Sequence, residues 1–114
     1  MQGRELIVSR AARFFRDGDL VNLGIGMPTQ VANYLPDGVE IQLQSENGFI
    51  GIGPTPTAED WDHDVVNAGG QPASIVPGGC TFVSCMSFGL IRGGHVVATV
   101  LGALEVDQEG NLAN

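Results

Sequence analysis

Between residues 4 and 16 apolar side chains recur at Ile7, Ala11, Phe14 and Phe15, with Arg4, Arg10, Arg13 and Arg16 largely elsewhere. That i, i+4, i+7, i+8 spacing predicts one amphipathic helix, which Asp17-Gly18-Asp19 ends. The apolar run from Leu20 to Leu23 predicts a short buried strand, and Gly24-Ile25-Gly26 follows at once. Met27-Pro28-Thr29 opens a second helix, with the proline in the first turn, where its missing N–H costs nothing. That helix runs to about Leu35 and stops at Pro36-Asp37-Gly38. Val39, Ile41 and Leu43 then alternate with Glu40, Gln42 and Gln44, the period of a strand, which delivers Ser45-Glu46-Asn47-Gly48 at its C-terminal end. Residues 54–64 hold two prolines and several acids and read as a loop. A strand near Ala73–Val76, a glycine turn and a helix around Ser84–Arg92 come next. The β-branched run from His95 to Leu101 predicts a central strand, and Val106 to Asn111 reads as a hairpin turn.

Strand and helix alternate throughout, which predicts a single α/β domain over residues 1–114 with a largely parallel sheet. The chain is 43% hydrophobic and 16% charged and holds 17 glycines, a balance suited to buried strands meeting glycine-rich turns. Charge narrows the functions further. Thirteen acids stand against five arginines and no lysine, for a net charge of −8. A nucleic-acid binder needs basic patches, and an anionic membrane surface would repel this chain. No window has the apolar length of a membrane span, and Met1-Gln2-Gly3-Arg4-Glu5 is no signal region. Cys80 and Cys85 read as buried free thiols in a reducing compartment, so the expected location is the cytoplasm.

Several residues are candidates for chemistry. Gly24-x-Gly26 lies between a strand and a helix, where backbone N–H groups favour an anion. Thr29 occupies the third glycine position of a dinucleotide fingerprint, so that motif is not met. Glycines required only for a tight turn explain the pair equally well. Glu46 lies at the C-terminal end of a strand, the edge where open α/β sheets place ligands. From position alone it reads as a nucleophile, a general base or a solvated cap. His63, in Trp61-Asp62-His63-Asp64, lacks the spaced partners of a metal site and reads as part of a solvated loop. His95 reads as a histidine bonded to backbone at the start of a buried strand. Ser84 and Ser87 have no nucleophile-elbow context.

Five ordered segments are more specific than any of these alone. Gly-Asp-Leu-Val-Asn-Leu-Gly-Ile-Gly-Met-Pro-Thr spans 18–29 and Gln-Ser-Glu-Asn-Gly spans 44–48. Asn-Ala-Gly-Gly-Gln-Pro at 67–72, Ser-Phe-Gly-Leu-Ile-Arg-Gly-Gly-His at 87–95 and Val-Leu-Gly-Ala-Leu-Glu-Val-Asp at 100–107 follow. Together they resemble the N-terminal portion of the β subunit of family I coenzyme A transferases, of the 3-oxoacid and acetate–acetoacetate type. The resemblance implies a three-layer α/β/α open sheet of the coenzyme A transferase type, incomplete at its C-terminal end. It implies Glu46 as the catalytic glutamate, with Gly24, Ile25, Gly26, Asn47 and Gly48 binding substrate. The implied reaction is ping-pong: Glu46 attacks an acyl-CoA such as acetoacetyl-CoA or succinyl-CoA, an anhydride forms, and the returning thiolate makes a glutamyl-CoA thioester. A second short-chain acid reverses the sequence.

On this resemblance no metal and no cofactor is implied, since coenzyme A is a substrate. The expected partners are an α subunit, acyl-CoA and small carboxylic acids, within a hetero- or homo-oligomer. Val83 stands where the family usually has Asp, and Cys85 where it often has Ala. The family's later segments, a Trp, a Pro-Gly-Lys and a Gly-Met-Gly-Gly loop, lie beyond Asn114. The alternative expectation is therefore an inactive, transferase-derived binding or scaffold domain. A sugar-phosphate isomerase would need phosphate-binding basic residues that the chain does not offer.

Overall fold

A computed structural model describes residues 3–114; Met1 and Gln2 of the opening segment lie outside it. The first helix, α1, spans Gly3–Ala12. It buries Val8 and Ala12, and Phe15 just beyond it, whereas Ile7 is exposed and Phe14 is 84% exposed. Of the expected apolar face, Phe15 is buried and Ala11 packs against the core, whereas Ile7 and Phe14 face solvent and Val8 and Ala12 take their place. Both sets, 7/11/14 and 8/12/15, have helical spacing. The last turn decides between them, because Arg13, Phe14 and Phe15 donate to carbonyls three residues back. That tighter winding carries Phe15 inward and Phe14 into solvent.

Strand β1, Leu20–Leu23, leads into a 3-10 helix, Met27–Tyr34, in place of the expected α-helix. Leu35 ends it in an extended conformation, as the residue before a proline must. Strands β2 (Gln42–Ser45) and β3 (Phe49–Ile52) form a hairpin around Glu46-Asn47-Gly48. β3 pairs antiparallel with β4, Ile75–Thr81. Helix α2, Ser84–Arg92, occupies the span expected of it, and β5 covers Ala98–Val100. A separate hairpin, β6 (Glu105–Val106) with β7 (Leu112–Ala113), closes on the turn read from the sequence.

The main sheet runs β4-β3-β2-β1-β5. It is mixed rather than largely parallel: β1 is parallel to β2 and β5, while β2–β3 and β3–β4 are antiparallel. The expected glycine turn after Val76 lies inside β4, where Pro77-Gly78-Gly79 accompany a register shift against β3. Proline is tolerated there because β4 is an outer strand. The expected central strand, β5, is the outermost strand on the other side. His95 is exposed in the turn before it, its backbone N–H bonded to the Leu90 carbonyl at 3.0 Å.

Side-chain alternation along β1 and β2 sorts the layers. Val21, Leu23, Leu43, Ala98 and Val100 face α1 and the 3-10 helix, where Val8, Ala12, Phe15 and Val31 complete the core. Burying each Val or Phe there contributes roughly 1.5–3 kcal/mol. Asn22 and Gln44, paired across the same two strands, face the opposite side, where Gln44 meets Ser87 of α2. The result is helix, sheet, helix: a three-layer α/β fold. Cys80 and Cys85 are free but exposed, not buried, because nothing in the described chain packs over β4 or the outer side of α2 there. Among the described residues no helix is long and apolar enough to cross a membrane.

Candidate active site

Because β1 and β2 are parallel, their C-terminal ends lie side by side. Asn22, near the end of β1, is 4% exposed. Its Nδ2 donates to Glu46 Oε2 at 2.9 Å and lies 3.4 Å from the Gln44 carbonyl oxygen. Glu46 is the first residue of the β2–β3 turn and is half-buried. A strand end and a buried amide therefore hold the carboxylate in one place without hiding it from solvent.

A second wall is tied to the same turn. The Ser45 hydroxyl donates to Asn47 Oδ1 and accepts from the Ala68 N–H at 3.2 Å. Asn47 Nδ2 donates to the Val66 carbonyl at 2.8 Å. Asn67 Oδ1 in turn gathers the Gly69 and Gln71 N–H groups at 2.9 and 3.0 Å. These bonds fasten the loop 66–71 against the hairpin that carries Glu46. Between this loop and the start of the 3-10 helix lies a pocket of about 360 Å³, with Glu46, Ile25, Gly26, Thr29 and Ala68 in its lining. A small-molecule pocket is typically about 300–1,000 Å³. No arginine or histidine lines it.

The structure brings Ile25, Gly26 and Glu46 to one pocket, while Gly24, Asn47 and Gly48 are not in its lining. The Gly24 N–H is taken by the Val100 carbonyl at 2.8 Å, and a Cβ there would lie 2.9 Å from that oxygen, so this glycine lets β5 approach β1. Gly26 adopts φ +84 as it caps the 3-10 helix. His63 packs against Trp61 with ring centroids 4.2 Å apart and planes tilted by 44°, and neither residue lines the pocket that holds Glu46. Asn22, Ser45 and Asn67 are site residues that spacing did not single out. For Asn22 a signal existed: a carboxamide inside the apolar run Leu20–Leu23 is a buried polar group that requires a partner.

A family model described as coenzyme A transferase matches residues 4–114. The chain belongs to the coenzyme A transferase family. It is 60% identical over 114 residues to the beta subunit of the acetate CoA-transferase of Escherichia coli K12, covering 100% of this chain and 51% of that protein. The corresponding beta subunit of the Haemophilus influenzae acetate CoA-transferase is 62% identical, again over 100% of this chain and 51% of that protein. The human mitochondrial succinyl-CoA:3-ketoacid coenzyme A transferase 2 is 48% identical over 111 residues, 97% of this chain and 22% of that protein. The chain thus spans about half the length of the two bacterial relatives and about a fifth of the human one. An acyl-CoA transferase apoenzyme from Escherichia coli O157:H7 shares the fold with a TM-score of 0.63 at 22% identity, over 99% of this chain and 19% of that one.

Proposed function

We propose that this chain is the glutamate-bearing part of an enzyme that moves coenzyme A between an acyl-CoA and a short-chain carboxylic acid, by a ping-pong route through a glutamyl-CoA thioester on Glu46. One observation carries the reading: Glu46 is half-buried at the end of β2, its carboxylate held by Asn22 at 2.9 Å, and the residue lines the pocket. A carboxylate is a weak nucleophile, and partial desolvation with fixed placement beside a thioester is what activates it.

The pocket supports a short acyl group. Ile25, Ala32, Ile52 and Pro54 give it apolar walls, and relatives are named for acetate and for 3-ketoacids. The backbone N–H groups of Ile25 and Gly26 are the candidates for binding the acyl oxyanion, since the Gly24 N–H is already bonded. Asn47 serves by tying the 66–71 loop to the Glu46 turn, and Gly48 by letting the turn close on β4. Coenzyme A carries phosphates, and the pocket has no cationic side chain, so the positive charge would come from a partner of α-subunit type or from sequence outside these 114 residues. Two relatives are named as beta subunits, in keeping with such an assembly. Exposed free thiols at Cys80 and Cys85 fit the reducing cytoplasm.

The test is the intact mass of the chain, assembled with an α-type partner, after exposure to acetoacetyl-CoA. A coenzyme A adduct on the native chain that is absent from Glu46→Gln is the expected result. No adduct on the native chain, or an unchanged adduct on the variant, overturns the reading.

A further inference from the structure

We infer that Asn22 is a catalytic residue: its side-chain amide stabilises the oxyanion that forms on Glu46 itself when coenzyme A is loaded onto it. This rests on the glutamyl-thioester reading above and adds a division of labour between the two carboxylate oxygens. Asn22 is anchored in β1 between β2 and β5, and is 4% exposed. Its amide orientation follows from its neighbours. Both Glu46 Oε2 and the Gln44 carbonyl are acceptors, so the nitrogen must face them; the reversed amide would set oxygen against oxygen twice. At 4% exposure an unbonded Asn22 carboxamide would be costly. The carboxamide is therefore matched to the carboxylate.

Oε2 is the oxygen held by Asn22, and among the described residues Oε1 has no hydrogen-bond partner, which makes Oε1 the nucleophile. In the first step Oε1 bonds to the thioester carbon, the carbon–sulfur bond breaks, and the sulfur leaves as thiolate. In the second, the thiolate bonds to Cδ of Glu46, and the electron pair of the Cδ=Oε2 bond moves onto Oε2. That oxygen already faces the Asn22 donor, so its charge develops against a preplaced N–H. The double bond re-forms as the Cδ–Oε1 bond breaks, and Oε1 departs in the carboxylate of the product acid. The thioester that remains has Oε2 as its carbonyl oxygen, still bonded to Asn22. The same contact that orients the nucleophile thus serves each tetrahedral state centred on Cδ.

Two measurements on the chain assembled with its α-type partner test this. In single turnovers with acetoacetyl-CoA, Asn22→Ala and Asn22→Asp should slow the appearance of the adduct by ~10²–10³-fold, the usual loss for one such donor, with little change in the concentration dependence of acyl-CoA binding. Adduct formation at the wild-type rate in folded variants would overturn the proposal. Independently of any rate, the thioester carbonyl stretch of the native adduct should lie below that of the folded Asn22→Ala adduct, because an N–H donor weakens the C=O bond. An unshifted carbonyl overturns the proposal while leaving the Glu46 thioester intact. No wild-type adduct, or one that survives Glu46→Gln, removes the underlying reading and this proposal with it.

Discussion

The Gln44 carboxamide crosses from β2 to helix α2, where its Nε2 donates to both the carbonyl and the hydroxyl of Ser87 at 3.0 Å. Both residues are fully buried, at 1% and 0% exposure, and the Gln44 Oε1 has no partner. With the Ser87 hydroxyl, which also donates to the Ser45 carbonyl at 3.4 Å, this pair attaches α2 to the strand that ends in Glu46. A buried unpaired acceptor costs about 1–3 kcal/mol, which offsets part of what the two donated bonds contribute. Volume therefore matters more than polarity at this position. Gln44→Met, which keeps the bulk and removes the unpaired oxygen, should change stability by no more than about 1 kcal/mol. Gln44→Ala should cost about 2–4 kcal/mol through the cavity it leaves. Chemical denaturation of the two variants side by side checks the ordering; equal losses would show that the hydrogen bonds dominate.

Gly48 closes the turn that Glu46 opens. Its φ is +137, and an added Cβ would collide with the Phe82 carbonyl oxygen, whose own residue donates its N–H back to the Gly48 carbonyl at 2.8 Å. Any side chain must push the hairpin away from the end of β4. Gly48→Ala is expected to lose about 2 kcal/mol or more of stability from backbone strain and overpacking. A misplacement near 1 Å at a nucleophile can cost ~10²-fold in rate, so turnover should fall further than the folded fraction does. Comparing activity per folded molecule with thermal unfolding separates the two effects. Activity falling only in proportion to the folded fraction would sink the positional argument.

Val83 is the N-cap of α2, with φ −67 and ψ 149, and makes no side-chain capping bond. The backbone is already in the extended conformation an N-cap requires, and the side chain is 66% exposed. Val83→Asp should accept from the free N–H groups of the first turn and raise stability by about 1 kcal/mol, with a further ~0.3–1 kcal/mol from the helix dipole. Val83→Asn should show the capping gain without the charge term. The melting temperature reads both, rising by about 4 °C for each kcal/mol in a domain of this size. No gain in either variant would mean that the Val83 side chain makes an apolar contact in the assembled protein.

What could be read along the chain was whatever local chemistry decides. Ser84–Arg92 appeared as a helix because Gly93-Gly94 stops it, and the Val106–Asn111 turn because Asp, Gly and Asn stand where a hairpin needs them. β3 was missed because Gly51 breaks the run Phe49–Ile52, and four residues with a central glycine carry no clear period. The choice between Phe14 and Phe15 was not decidable from spacing, since it depends on how tightly one turn winds. Strand direction and the outer place of β5 depend on pairing between distant segments. In the site, the place of Glu46 at the end of a strand was legible from the alternation of Val39, Ile41 and Leu43 before it. Its partner Asn22 was not, because the contact joins residues 24 apart in sequence through parallel pairing of β1 with β2.

The β6–β7 hairpin closes on an aspartate, and its stability should follow pH accordingly. Asp107 Oδ1 accepts from the Glu109 and Asn111 backbone N–H groups at 2.9 Å each, and Oδ2 accepts from Asn111 Nδ2 at 2.8 Å. These bonds favour the ionised form, the Asn111 side chain most of all and its backbone next, and hold the carboxyl below the ordinary aspartate range. A group whose pKa is lower in the folded state contributes stability that is fully present above its unfolded value. That contribution is lost as pH falls through the folded value. The hairpin should therefore stay closed at neutral pH and begin to loosen only below about pH 4, the unperturbed aspartate value. Amide exchange and chemical shifts of Glu109 and Asn111 across an acid titration report this directly. Asp107→Asn keeps one acceptor oxygen but no titrating group, so its hairpin signals should be weaker at neutral pH and flat through the acid range. If the wild-type signals moved with an ordinary aspartate midpoint, or did not move at all, the carboxylate would not be what closes the turn.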